Sequence, residues 1–376
     1  EAGMEPYEIM TSESQERMLA IVEPTKLDDV LAIAAKWEVR ASVIGTVTGS
    51  GRLRITTDEG EEILADVPAK SLEEDAPLYD RPMAEPADLI TRRADSANVL
   101  PAPGDIAADL LELLCDTSWV WSQYDHMLFL NTVVAPGGDA AVLRLKHPTT
   151  GVDTGRGMAL TTDGNHLWCA VDPREGSVMT MCESIMNLAM VGARPIAMVN
   201  CMNFGNPEHP EVMWQFSESV DGLSQALDAF GVPCIGGNVS LYNESRGADI
   251  DPTPIIGVLG LIDRLDAVLA GPELVDGGRL ILVGDTVREL SGSEWASRRG
   301  HRGRGTLPTV DLDAVAAVAG PVAVPADRPR PRSRHPQAAR GAGGTRWGQA
   351  RRRLGSVERA GDPRPRPCRL RPRGAR

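Results

Sequence analysis

Long apolar runs are missing from this 376-residue chain. No stretch nears the roughly 20 residues that cross a bilayer as a helix, and no charged-then-apolar leader opens it. Both absences argue against a membrane or secreted protein. The six cysteines, Cys115, Cys169, Cys182, Cys201, Cys234 and Cys368, form no CxxC pair and no cluster with zinc spacing. Scattered single thiols of this kind suit a reducing, cytoplasmic setting, and they read as small buried hydrophobes. The histidines are isolated too, so no metal pair is expected among them.

Lysine is absent from residues 298–376, which hold 20 Arg and five acidic residues, a net of +15 against −13 for the whole chain. Residues 1–297 therefore carry −28. An acidic body of that strength excludes non-specific nucleic-acid binding. Arg-Pro repeats and Gly-Ala clusters fill 321–376. This tail has two readings, a basic nucleic-acid-binding arm or a high-GC gene translated out of frame beyond Gly320. The missing lysine favours the second. On either reading the tail lacks the patterned apolar surface needed to fold.

The remainder is patterned as layered α/β structure. In 1–85, Ser12-Glu13-Ser14-Gln15 has capping-box spacing with Ser12 as N-cap. A helix is predicted from Thr25, then strands over 41–48, 53–57 and 62–67 as a meander of hairpins. Residues 86–119 read as a Pro-rich linker with one helix, 105–116, turning Ile106, Leu110, Leu111 and Leu114 inward. Residues 120–250 alternate strands with helices. Strands are predicted at 141–145, 158–161, 167–171, 196–200 and 232–235. One helix runs from Ser177 to Val191. A second ends at Phe230, with Phe216, Val220, Leu223, Leu227 and Phe230 on one face and Gly231 and Pro233 as its stop. Strand character resumes at 255–261 and 280–283.

Four strings could carry chemistry. Gly236-Gly237-Asn238-Val239-Ser240 follows a predicted strand. Its glycines would let backbone N–H groups approach a phosphate, and Asn238 offers a neutral oxygen suited to Mg2+. An ordinary turn explains the same residues. Thr162-Asp163-Gly164-Asn165 could present a carboxylate at a strand end, or close a hairpin. Ser12–Gln15 could hold an anion at a helix start, or only cap the helix. Asn200–Pro207 is a polar loop that could shape a cleft wall.

In their order along the chain these strings resemble one family. Gly3–Met10 leads into Ser12–Met18. Gln123-Tyr124-Asp125-His126, Thr162–Asn165, Val191–Ala197, Asn200–Pro207, Pro210–Gln215, Gly236–Glu244 and Glu289–Trp295 follow. Over residues 1–318 the chain resembles the synthetase subunit of phosphoribosylformylglycinamidine synthase. The resemblance implies tandem N- and C-terminal domains of the aminoimidazole-ribotide-synthetase type, incomplete at both ends. Residues 1–85 would be the later part of a first C-terminal domain and 120–250 the second N-terminal domain. Residues 251–320 would begin a second C-terminal domain.

The implied activity is an ATP-dependent ligation in purine biosynthesis. It converts formylglycinamide ribonucleotide and glutamine-derived ammonia to the amidine, with a glutaminase subunit and a small accessory subunit as partners. Carried over by resemblance, Glu13, Ser14, Gln15 and Ser240 would bind substrate. Asp163 and Gly237 would contact ATP, and Asn238 would hold Mg2+. The family's catalytic histidine belongs to a region before Glu1, so the chain alone is expected to be inactive. Two alternatives are a non-catalytic nucleotide-binding module of the glutaminase complex and an aminoimidazole-ribotide-synthetase-type enzyme.

Overall fold

The computed structural model describes residues 4–12, 18–57, 60, 62–114, 116–267, 276–279, 281–284 and 286–323. They fall into two units, 1–80 and the chain from Arg81 onward. Among them no helix is long and apolar enough to cross a membrane. The proposed out-of-frame tail lies outside the described residues, apart from 321–323.

The first unit starts with α1 (Pro6–Thr11), opened by Glu5, whose N–H donates to the Glu8 carboxylate at 2.8 Å. Ser12 follows this helix as its C-cap. The helix that Ser12 is expected to cap would occupy residues 13–17, which lie outside the described residues. Glu13, Ser14 and Gln15 lie outside the described residues. In α2 (Leu27–Lys36), Asp28 and Asp29 occupy the first turn and Lys36 the last, the order the helix dipole favours.

Strands β1 (Arg52–Thr56) and β2 (Ile63–Pro68) form one antiparallel hairpin. Asp66 clamps it, accepting from Arg52 at 2.5 Å and Arg54 at 2.9 Å. Those two guanidiniums, Arg52 first, hold its carboxyl below the usual carboxylate range. The strand expected at 41–48 is irregular chain, with Val43, Ile44 and Val47 exposed. β-branched residues alone do not make a strand where no neighbour supplies a ladder and a packed face.

The second unit holds α3 (Leu89–Ala94), α4 (Ile106–Leu113), α5 (Ser118–Trp121), β3 (Thr132–Val134), β4 (Ala141–Lys146), β5 (Asp153–Asp163), α6 (His166–Val171) and α7 (Pro173–Met190). Then come β6 (Arg194–Asn203), α8 (Pro210–Phe230), β7 (Cys234–Ser240), the short pair β8 (Glu244–Ser245) and β9 (Ala248–Asp249), β10 (Thr253–Ile262), α9 (Glu294–Arg298) and α10 (Leu312–Ala323). The main sheet has the order β3-β4-β5-β10-β6-β7, antiparallel except for the parallel pair β6 and β7.

Helices α7, α8 and α10 pack together. Met181, Ile185 and Leu188 of α7 and Leu223 and Ala226 of α8 share one core with Met198, Met202, Ile256, Val258 and Ile262 of the sheet. Each large apolar side chain buried there contributes about 1.5–3 kcal/mol. Gly231 ends α8 at φ 62°, the left-handed conformation expected of it.

Several local expectations are corrected. Residues 167–171 form helix α6, not a strand. Asn165 caps that helix, its side chain accepting from Trp168 N at 3.1 Å, and so short an apolar run has no decisive period. Helix α7 begins at Pro173 and not at Ser177, because Asp172 accepts from the N–H groups of both Arg174 and Glu175 at 3.0 Å. Residues 281–283 have no regular structure and are exposed, and Leu280 lies outside the described residues.

In α4 the expected stripe of Ile106, Leu110, Leu111 and Leu114 is exposed. Asp109 and Leu113 face inward instead. Trp295 Nε1 donates to Asp109 at 2.8 Å, and Leu113 packs beside Ala97, Trp295 and Ala296. Residues 86–113 are therefore tied to 288–305. Ser291 Oγ accepts from Ala97 N, and Arg304 pairs with Asp95 at 2.7 Å.

Helices α7 and α8 meet closely at Gly222. A Cβ built there would lie 2.3 Å from the backbone oxygen of Arg174. Gly222→Ala should therefore cost about 1–3 kcal/mol of stability, the usual overpacking penalty, read as a lower urea midpoint. A change below about 0.5 kcal/mol, within ordinary surface-mutation scatter, would refute that contact.

Candidate functional site

Strand β10 is buried on alternate residues along its whole length and pairs antiparallel with both neighbours. On one side Ile256 faces Asp163 of β5. On the other it faces Asn200 of β6, which in turn faces Gly237 of β7. Asp163, Asn200 and Gly237 therefore share one row across the sheet. Adjacent strands lie about 4.8 Å apart, so the row from Asp163 to Gly237 spans roughly 14 Å. Asn238 pairs with Cys201 and Ser240 with Asn203, further along the same two strands.

Specific contacts hold Asp163, Gly237 and Ser240. Asp163 accepts from Ser184 Oγ at 2.7 Å and from Asn187 Nδ2 at 2.9 Å, both on α7. Gly237 is glycine for a steric reason, since a Cβ there would lie 2.1 Å from Asn200 Oδ1. Asn243 Nδ2 donates to the Ser240 backbone oxygen at 2.9 Å and contacts its hydroxyl at 3.1 Å. The same amide reaches Phe204 O at 3.0 Å, tying the loop after β6 to the end of β7.

The Gly-Gly-Asn string is not a loop after a strand, as expected, but the middle of β7. Its pairing to β6 takes part of its backbone hydrogen bonding, and β7 is the edge of the sheet, so the remaining edge groups point away from the ladder. The Asp163-Gly164-Asn165 string is not a hairpin; it leads from β5 into α6. Of the expected site residues, Asp163 and Gly237 share a row, and Asn238 and Ser240 follow on β7. Glu13, Ser14 and Gln15 lie outside the described residues.

Asn200 and Asn243 lie in strings that the sequence singles out, whereas Ser184 and Asn187 are additions of the structure. A signal for Ser184 exists only in three dimensions. Ser177 and Thr180, also buried on α7, donate to carbonyls four residues earlier, the usual resting place of a helical hydroxyl. Ser184 instead donates to Asp163.

A second cleft, of about 520 Å3, is lined by Arg92, His209, Gln215, Asp249, Asp251 and Arg302. His209 Nδ1 lies 2.7 Å from Asp249, and Arg302 pairs with Asp251. Among the described residues no three His, Cys, Asp or Glu side chains gather as a metal cluster.

Comparison with known proteins fits this arrangement. Residues 137–262 match the family model described as AIR synthase related protein, N-terminal domain, and residues 1–58 match its C-terminal domain. Phosphoribosylformylglycinamidine synthase subunit PurL of Parafrankia sp. is 47% identical over 322 residues, 83% of this chain and 41% of that protein. The Moorella thermoacetica PurL is 42% identical over 85% of this chain and 43% of its own length. The chain belongs to the PurL family of phosphoribosylformylglycinamidine synthase subunits.

It spans about two-fifths of the length of the curated relatives it matches. Thermotoga maritima PurL complexed with ATP superposes with a TM-score of 0.53 at 30% identity, over 71% of this chain and 41% of that one. The same protein complexed with FGAR gives 0.53 at 31% identity, over 71% and 40%. The expected fold class, layered α/β with domains of the aminoimidazole-ribotide-synthetase type, holds.

The thiols bear on function by their inertness. Burial pushes Cys169 and Cys182 up to about 12, while Cys234 is exposed on β7. A thiol-specific disulfide reagent near pH 8, well below those values, should label Cys234 in the folded chain and spare Cys169 and Cys182 until denaturant is added. Native labelling of either buried thiol would contradict the packing of α6 and α7.

Proposed function

We propose that this chain supplies ATP- and substrate-contacting residues to an ATP-dependent ligase of purine biosynthesis. The reaction converts formylglycinamide ribonucleotide and glutamine-derived ammonia to formylglycinamidine ribonucleotide. The observation that carries the reading is the row Asp163–Asn200–Gly237, with Asn238 and Ser240 beyond it on β7. Support also comes from PurL relatives whose structures hold ATP and FGAR.

In this reading Asp163 accepts hydrogen bonds from the nucleotide, and glycine at 237 keeps the strand open to close approach. Ser240, steadied by Asn243, donates to the substrate. Glu13, Ser14 and Gln15 add further substrate contacts. ATP supplies the phosphoryl group that activates the glycinamide carbonyl oxygen; ammonia adds to that carbon and inorganic phosphate leaves. The chain's residues contribute orientation, which alone lowers such a barrier substantially.

Mg2+ fits the donor set in one way only. Asn238 offers a single carboxamide oxygen, so the ion would take its other ligands from phosphates and water, as is usual for it. Bound there, it would offset phosphate charge. The partners in this reading are a glutaminase subunit and a small accessory subunit, and the setting is the cytoplasm.

Calorimetry of the chain with a magnesium complex of a non-hydrolysable ATP analogue tests this. Saturable binding is expected, weakened about tenfold or more in Asp163→Ala, the worth of a hydrogen bond to a charged group. Gly237→Val should weaken it comparably by moving Asn200. No binding at millimolar nucleotide, or equal binding by both variants, would overturn the reading. Nucleotide binding with no effect of Ser240→Ala on formylglycinamide ribonucleotide affinity would favour a nucleotide-binding module without a substrate role.

A further inference from the structure

Helix α7 is rigidly seated. Met181, Ile185 and Leu188 are almost fully buried against the sheet, and Asp172 caps the first turn. Interleaved with these apolar residues, α7 carries polar side chains toward β5. Ser184 and Asn187, three residues apart and so on one face, both turn to Asp163. Ser184 Oγ reaches one carboxylate oxygen at 2.7 Å and Asn187 Nδ2 reaches the other at 2.9 Å.

A carboxylate has about four lone-pair positions. Two donors on different oxygens leave two positions and fix the plane of the group. Both donors are neutral, so they orient the charge without cancelling it, as an Arg or Lys would. Hydrogen bonds to an ionised acceptor are stronger than neutral ones, so the pair is well suited to holding one rotamer. Glu183 on the same helix is pushed above the usual carboxylate range by partial burial and by the charge of Asp163.

We infer that Asn187, assisted by Ser184, is a positioning residue for nucleotide binding. It holds Asp163 in the orientation that meets the nucleotide, without itself touching the reacting atoms. The inference rests on the proposed role of Asp163 in contacting ATP.

The test is calorimetric affinity of the full chain for the magnesium complex of the ATP analogue, with each variant expressed relative to the unsubstituted chain at the same pH. Asn187→Ala should weaken binding about tenfold and Ser184→Ala by a smaller factor, since each removes a donor to a charged group. Asn187→Asp is the decisive variant. Two carboxyls about 3 Å apart cannot both stay ionised, and the protonated one becomes a donor again. Its relative affinity should be lowest near about pH 8.5 and recover as the pH falls to about 5.5, where the shared proton is retained.

Glu183→Gln in the same background should leave that recovery in place. A variant that had merely unfolded would not regain affinity on acidification, so the pH profile stays decisive if Asn187→Ala is unstable. Equal affinity of Asn187→Ala and the unsubstituted chain overturns the inference while the ATP reading stands. A flat profile for Asn187→Asp also overturns it. Absence of binding by the unsubstituted chain overturns both.

Discussion

The register of β10 is the constraint on which the second unit depends. This strand is hydrogen-bonded on both edges, to β5 and β6, and both pairings are antiparallel. Ile256, Val258 and Ile262 are buried to within 2% of full enclosure because they meet α7 and α8. Slipping β10 by one residue would turn these side chains to the opposite face. The core therefore fixes the register, and the register sets Asp163, Asn200 and Gly237 in line. Packing and site geometry are consequences of the same strand.

The helix–sheet interface interleaves two kinds of contact along α7. Met181, Ile185 and Leu188 supply burial worth about 1.5–3 kcal/mol each. Between them, Ser184 and Asn187 meet Asp163, and on the sheet Asn200 covers Gly237. A typical hydrogen bond adds only about 1 kcal/mol net. The apolar part accounts for most of the stability, and the polar part determines where particular groups sit. A site built this way tolerates little movement, since its supports belong to a packed helix and a central strand rather than to a loop.

Much of this was legible in the sequence where period and stop signals agreed. Helix α8 is an example: five apolar residues on one face, then Gly231 and Pro233. Strand β10 was recognisable from its apolar run. Legibility failed where a few residues support two structures. Leu167–Val171 is a short, continuous apolar run that suits a strand or a helix, yet Asn165 caps it into a helix. Gly236–Asn238 has turn composition, yet a parallel neighbour draws it into β7. The 41–48 segment has strand residues but no ladder. Ser184 and Asn187 could not be tied to Asp163, because that contact joins residues more than 20 positions apart and no local pattern records it. Family resemblance supplied Asp163, Gly237, Asn238 and Ser240 as candidates. Only the strand register brings Asp163 and Gly237 into one row.

That alignment is the central claim, and hydrogen exchange with and without the magnesium–nucleotide complex tests it most directly. Amide exchange should slow together at the end of β5, around residues 162–166, and along β7, around 236–241, because the proposed nucleotide contacts Asp163 and Gly237 alike. Slowing at only one of these strands, or confined to the cleft between His209 and Arg302, would contradict the account.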